Sequence, residues 1–176
     1  MGIAVVDYDP SWPEAYQAIS TELCSVTGGL FAAIEHVGST AVVGLSAKPI
    51  IDVMAAVRYL DAVDPFLPKL AGIGYQLQDT AMPNRLLLLR AVPGLPTSHL
   101  HVVTVDGWDT RNQRLFRDHL RDHPDLATEY GQLKAELAGS STDGDEYTSA
   151  KTEFVQRVVD AARTARGLPL VSVWEE

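Results

Sequence analysis

The chain has 176 residues, 46% hydrophobic and 21% charged, which suits one globular domain over 1–176 with a substantial core. Its formal charge of −9, without any lysine- or arginine-rich run, argues against a nucleic-acid partner. No apolar run is long enough to span a membrane, and the N-terminus lacks a signal-peptide pattern. The single cysteine, Cys24, excludes an internal disulfide. We therefore expect a cytoplasmic protein with no membrane partner.

The first predicted element is a helix that begins after Ser11 and ends at Gly28. Ser11 and Glu14 have the spacing of a capping box, and Pro13 suits the first turn of a helix. Apolar residues recur at helical spacing between these signals, and the glycine then favours termination.

Strands predominate in the middle of the chain. The run PIIDVMAAV is apolar on both faces, which is typical of an inner strand. Two later runs are separated by PGLPT, which predicts a hairpin connection. The predicted elements are strands at 31–37, 49–57, 75–79, 85–92 and 98–105, with a short helical segment at 64–74.

The last third is predicted to be helical, with helices over 110–122, 124–139 and 145–166. The final LPLVSVW suits either a short strand or a tail. The fold class is therefore α+β: a mixed, mostly antiparallel sheet flanked by helices, followed by a helical C-terminal third.

Polar residues interrupt two of the apolar strands at positions that share a face. Asp52 lies within the apolar run, and His99 and His101 alternate with apolar residues on another strand. Because side chains alternate along a strand, these three meet on one face if their strands are neighbours, and Glu35 or His36 can join them from the strand at 31–37.

A buried carboxylate without a partner costs several kcal/mol or becomes protonated, so Asp52 needs a cation, a metal or hydrogen-bond donors. The histidines and Lys48 are the candidates. The alternative is structural: Asp52 caps a loop and the histidines are ordinary sheet residues.

Five segments together resemble the GrpB family over nearly the whole chain: YDPSWP, IEHVGSTAVVGLSAKPIIDV, HLHVV, FRDHLRDHP and YTSAKTEFV. The resemblance implies a nucleotidyltransferase-like fold akin to the DNA polymerase beta superfamily. Some relatives are fused to dephospho-coenzyme A kinase, which suggests an accessory role there.

The resemblance also implies a set of site residues. Superfamily enzymes place a Gly-Ser turn about a dozen residues before an Asp-x-Asp pair on a strand, and a third carboxylate on another strand. The turn holds nucleotide phosphate and the carboxylates hold divalent metal. By this match Gly38 and Ser39 form the turn, Asp52 is the first carboxylate, and Tyr147 and Lys151 belong to the shared helix. With Thr40 of the turn and the nearby Lys48 added from the sequence, the predicted phosphate-binding residues are Gly38, Ser39, Thr40, Lys48, Tyr147 and Lys151. The predicted catalytic residues are Asp52, Glu35 and His101, the last two from strand alternation. Tyr147 as packing, and the Lys151 stem as cover for the sheet edge, are the structural alternatives.

One departure bears on the metal. The second carboxylate position is Met54, a poor ligand for a hard cation, and the third strand offers His99 and His101. A site of Asp52, His99 and His101 suits zinc or manganese better than magnesium, which stays the third option for the divalent metal.

The expected function is that of a nucleotidyltransferase-like protein that binds a nucleotide or phosphorylated small molecule, with nucleotidyl or phosphoryl transfer as its reaction. The first alternative is a catalytically degenerate module that binds a ligand or partner. A metal-dependent hydrolase that uses Asp52 and the two histidines is the more distant one.

Overall fold

The computed structural model describes residues 4–80, 82–139 and 144–173, with the backbone alone at 138–139, 144–148 and 150. Its five strands are β1 (Ala33–Val37), β2 (Ile51–Val57), β3 (Gln76–Gln78), β4 (Arg85–Arg90) and β5 (Ser98–Thr104). They form one sheet in the order β1-β2-β5-β4-β3. Only β2 and β5 pair in parallel, so the predicted mixed, mostly antiparallel sheet is confirmed.

The described residues form five α-helices beside the sheet: α1 (Trp12–Thr27), α2 (Leu67–Gly72), α3 (Asn112–Asp122), α4 (Pro124–Gly139) and α5 (Gly144–Ala165). Short 3-10 helices precede α2 and α3 and follow β1, at Leu60–Phe66, Trp108–Thr110 and Ser39–Ala41. The helical C-terminal third is confirmed. In the described part of the tail, 168–173, the chain forms no strand. None of the helices among the described residues is long and apolar enough to cross a bilayer.

The start of α1 differs from the prediction. The Ser11 side chain makes no capping hydrogen bond, and its backbone N–H instead binds Oδ1 of Asp9 at 2.8 Å. The capping-box prediction is therefore wrong, because Ser11 belongs to a turn in which the Asp9 carboxylate accepts a hydrogen bond from the Ser11 backbone N–H. The helix ends as predicted, with Gly28 in the left-handed region at φ 60°.

The two faces of the sheet bury different partners. One face packs against α1 and α2 and forms the main core, which includes Leu23, Val53, Ala55, Leu70 and Leu100. The other face carries Asp52 and a smaller cluster of Val37, Met54 and Val103, which Trp108 covers. The helical third has its own core, built from the 42–45 loop and from α3, α4 and α5. The polar site therefore lies on the sheet face that the C-terminal helices approach.

Candidate functional site

The site begins at Asp52, near the start of inner strand β2. The parallel register places Asp52 beside His99 and Met54 beside His101. Adjacent paired residues in a sheet project to the same face, so the carboxylate and both imidazoles share it. The predicted juxtaposition of Asp52 with the two histidines is confirmed.

The three side chains converge on one carboxylate oxygen. Oδ1 of Asp52 lies 3.3 Å from Nδ1 of His99 and 3.7 Å from Nε2 of His101. One potential ligand atom from each residue lies within 4.8 Å of those from the other two, and all three side chains are partly buried. Burial raises the pKa of Asp52, but the ring nitrogens of His101 and His99 outweigh it and leave the pKa below its usual value. Asp52 is therefore ionised at neutral pH.

The turn after β1 is built against this carboxylate. Gly38 has φ 74°, and a Cβ at this position would overlap Oδ2 of Asp52. Only glycine allows both the backbone conformation and the close approach. The Thr40 hydroxyl donates to the carbonyl of Ile50 at 3.0 Å and lies 3.0 Å from Nε2 of His36. Thr40, a predicted phosphate ligand, is buried and ties the turn to the strands, whereas Ser39 lines the adjacent pocket.

His36 lies on the opposite face of the sheet, stacked on Tyr16 of α1. Because Thr40 donates its single proton to Ile50, Nε2 of His36 donates to Thr40. Burial, followed by the charge of Arg121, lowers the pKa of His36 to about 4. His36 is thus a neutral structural residue that supports the turn, and it lies on the sheet face opposite to His99 and His101.

A pocket of about 200 Å³ opens beside the cluster, and three lysines line it. We call it the lysine pocket. Its polar wall consists of Ser39, Lys48, Asp52, His99, Lys134 and Lys151. The chain has only four lysines, so three of them meet here although its net charge is −9.

The lysines are close enough to affect one another's ionisation. Burial and then the charge of Lys151 lower the pKa of Lys134 to about 7. Burial and then the charge of Lys48 lower the pKa of Lys151, while Asp52 opposes the shift. The three lysines thus produce a local positive potential on an otherwise acidic protein, although Lys134 is only partly protonated at pH 7.

Sequence reasoning missed Lys134. It lies on α4, is 6% exposed, donates to the carbonyl of Ser46 at 2.5 Å and stands 4.6 Å from the ring centre of Tyr130. The sequence carried one usable signal: lysine is rare in this chain, so each lysine was a candidate. The sequence pattern of α4 does not indicate that the Lys134 side chain lines the lysine pocket.

Glu35 shares a face with Asp52, since it pairs with Met54 across β1 and β2. Both of its oxygens are occupied by arginines of α3. Arg114 binds it through two nitrogens at 2.8 and 3.0 Å, and Arg117 at 2.7 Å. Burial raises the pKa of Glu35, but the two arginines outweigh it and lower the pKa. In this arrangement Glu35 holds α3 against the sheet.

Met54, at the second carboxylate position, is completely buried with Val37 and Val103. Met54 therefore offers no carboxylate to a metal, and its side chain packs in a small apolar core. Tyr147 lies in α5, and its side chain falls outside the described part of the structure, so its predicted role stays a prediction. Lys151, on the same helix, reaches the pocket.

Comparison with known proteins identifies the relatives of this chain. The family model for GrpB protein matches residues 2–161. A protein of Pseudomonas aeruginosa is 35% identical over 174 residues, covering 96% of this chain and 71% of the relative. A dephospho-CoA kinase of Mycolicibacterium paratuberculosis is 30% identical over 170 residues, covering 81% of this chain but only 41% of the kinase.

Solved structures give the same relationship. The conserved protein GrpB from Enterococcus faecalis matches with a TM-score of 0.83 at 30% identity, covering 93% of this chain and 99% of that one. The Cid1 poly(U) polymerase with Mg 3'-dATP bound matches with a TM-score of 0.54 at 12% identity, covering 76% of this chain and 43% of the polymerase. At this identity the polymerase shows the fold alone, and the fold is nucleotidyltransferase-like.

Proposed function

This chain belongs to the GrpB family, and we propose that it binds the phosphate groups of a nucleotide or another phosphorylated small molecule in the lysine pocket. A divalent metal, held by Asp52, His99 and His101, is the second part of the proposal. The observation that carries it is the gathering of three of the four lysines around one pocket next to an ionised carboxylate.

Lysines that face one another repel, so their convergence favours an anionic ligand. Lys48 is exposed at the rim, whereas Lys134 and Lys151 form the deeper wall. Ser39 also lines the pocket and carries a hydroxyl. The volume of about 200 Å³ is below that of pockets that enclose whole ligands, so the pocket suits the phosphate part of a larger molecule.

The donor set fits a single transition-metal ion. Ligand atoms bound to one tetrahedral zinc lie about 3.4 Å apart, given zinc bonds of about 2.1 Å. The separations from Asp52 Oδ1 to the two imidazole nitrogens, 3.3 and 3.7 Å, bracket that value. One carboxylate and two imidazoles favour zinc or manganese over magnesium. When bound, such an ion supplies positive charge beside the phosphate.

A second candidate function, binding without turnover, is favoured by two residues of the same face. Met54 is completely buried, and the arginine-bound Glu35 is already engaged. Of the described carboxylates, Asp52 alone joins the candidate metal cluster, whereas two-metal phosphoryl transfer needs several oxygen ligands. Such a chain would act as a ligand-binding accessory module, and the match to a stretch of a dephospho-CoA kinase, covering 41% of that protein, is compatible with that role.

Calorimetry at pH 7 tests the binding proposal. ATP, dephospho-coenzyme A and pyrophosphate are titrated into wild type, Lys151→Met and Lys69→Met, with zinc, manganese or magnesium present in turn. We expect Lys151→Met to lose about tenfold in affinity or more, the value of a charge-assisted hydrogen bond. Lys69 is exposed on α2 and outside the pocket, so Lys69→Met is the matched control.

Three results test the pocket, the metal site and the choice between transfer and binding alone. Absence of binding by all three phosphate compounds, or equal losses in Lys151→Met and Lys69→Met, overturns the pocket assignment. Zinc or manganese affinity that is unchanged in Asp52→Ala overturns the metal site. Release of pyrophosphate from labelled ATP with magnesium would instead establish transfer and remove the accessory-module alternative.

A further inference from the structure

A second polar pocket, of about 410 Å³, lies at the other end of the sheet and contains two buried arginines. We call it the arginine pocket; its polar lining comes from Asn84, Thr104, Asp106, Thr110, Arg111 and Arg163. Thr104 ends β5, whereas His99 is near its start, so the two pockets are separated by about 17 Å along the strand.

Both guanidinium groups are buried without charge compensation in the part of the chain that the structure describes. Arg111 is 9% exposed and Arg163 is 6% exposed. The ion pairs formed by the described residues include neither of them. Removing an unpaired charge from water is costly, and the cost falls when an anion arrives.

Their hydrogen bonds go to neutral oxygens. Arg163 donates to the carbonyls of Pro169 and Thr110, at 2.5 and 3.1 Å, and to the side-chain oxygen of Asn112 at 2.9 Å. Such bonds hold the guanidinium in place but leave its charge uncompensated.

Arg111 is less well satisfied. Its one hydrogen bond to a described residue is a long one, 3.5 Å from Nη2 to the carbonyl of Asp106, and its buried Nε has no partner there. A buried donor that lacks a partner is rare enough to require an explanation. The Asp106 side chain is exposed at the pocket edge.

We propose that the arginine pocket binds a small oxyanion, either inorganic phosphate or the phosphate group of a small metabolite, between Arg111 and Arg163. The planar guanidinium fork matches the geometry of a phosphate group, and the Thr104 and Thr110 hydroxyls line the same space. The site is separate from the lysine pocket and does not depend on the function proposed for it.

An NMR titration of the full chain at pH 7 reads the two pockets separately. Backbone amide signals of Gly107 and Thr110 report the arginine pocket, and those of Gly38 and Ser39 report the lysine pocket. Inorganic phosphate and glycerol 3-phosphate are added in turn to millimolar concentration. We expect saturable shifts at Gly107 and Thr110, and the tighter of the two compounds identifies the source of the phosphate.

The variants are Arg111→Gln, Arg111→Lys and, as an exposed control on α5, Arg157→Gln. We expect Arg111→Gln to abolish the shifts at Gly107 and Thr110, while Arg157→Gln leaves them unchanged. The signal of Ser39, whether or not phosphate shifts it, should respond in the same way in wild type and in both variants. If Arg111→Gln does not fold, Arg111→Lys, which keeps the charge but loses the fork, should weaken binding about tenfold. Shifts that never saturate, or that persist unchanged in both Arg111 variants, overturn the proposal.

Discussion

Lys134 offers a direct test of the positive potential in the lysine pocket. Replacement by methionine keeps the length and the apolar stem of the side chain but removes the titratable amine. In the folded protein burial and the charge of Lys151 lower the pKa of Lys134 to about 7, compared with an ordinary value of 10.5. The unfolded chain therefore binds a proton at this residue over a pH range in which the folded chain does not.

The sign and the size of the effect follow from linkage. Between pH 7 and pH 10.5 the unfolded state holds more protons, so the stability of wild type rises with pH, and it falls as pH returns towards 7. The slope approaches about 1.36 kcal/mol per pH unit. Integrated from pH 7 to pH 9, the Lys134 contribution is about 2 kcal/mol.

Urea unfolding of wild type and Lys134→Met at pH 7, 8 and 9 measures this contribution. We expect the free energy of unfolding of wild type to gain about 2 kcal/mol relative to the variant across this range. Lys69→Met, which removes an exposed lysine, should run parallel to wild type. Parallel profiles for wild type and Lys134→Met would refute the reasoning, because Lys134 would then keep its proton in the folded state.

Three further predictions concern the supports of the site. As pH falls from 6.5 to 4, the free energy of unfolding of wild type, measured with urea, should fall by about 2.5 kcal/mol more than that of His36→Gln. The reason is that the lowered pKa keeps His36 neutral in the folded state, whereas the unfolded state is protonated at this residue. Equal decreases in the two proteins would contradict this. Gly38→Ala should cost at least about 1 kcal/mol and weaken zinc binding, measured by thermal unfolding and calorimetry, because residue 38 has a backbone conformation that favours glycine and an added Cβ would displace the Asp52 side chain. Unchanged zinc affinity would show that this contact is dispensable. Glu35→Gln should destabilise the fold by about 2 kcal/mol in urea unfolding, because the partly buried Arg114 and Arg117 lose their counter-charge. A fully stable variant would contradict this structural role, and the predicted catalytic role of Glu35 stays a prediction.

Much of the site was predictable because strand periodicity is a local property. Alternation placed His99 and His101 on one face of their strand, and the apolar character of 49–57 placed its strand inside the sheet. These assignments predicted contact with Asp52 on the condition that the two strands are neighbours, which the family resemblance supported. The parallel pairing of β2 with β5 meets that condition.

Other features were not predictable because they depend on distant partners. The sequence does not show that Thr40 turns its hydroxyl inward to the Ile50 carbonyl. The capping-box pattern at Ser11 was present, but a competing Asp9 turn took its place. Glu35 satisfied every local criterion for a site carboxylate, and only the position of α3 revealed its two arginines.

The sequence by itself determined the elements, the fold class and the residues on the Asp52 face, because backbone geometry imposes fixed periods of about 3.6 and 2 on side-chain direction. Only the tertiary structure decided which charges meet. Lys48 lies 86 positions before Lys134, and Lys151 lies 17 positions after it. They line one pocket because α4 and α5 pack against the 42–45 loop that follows β1. Charge interactions depend on distance in space and on burial, and neither quantity is set by position along the chain.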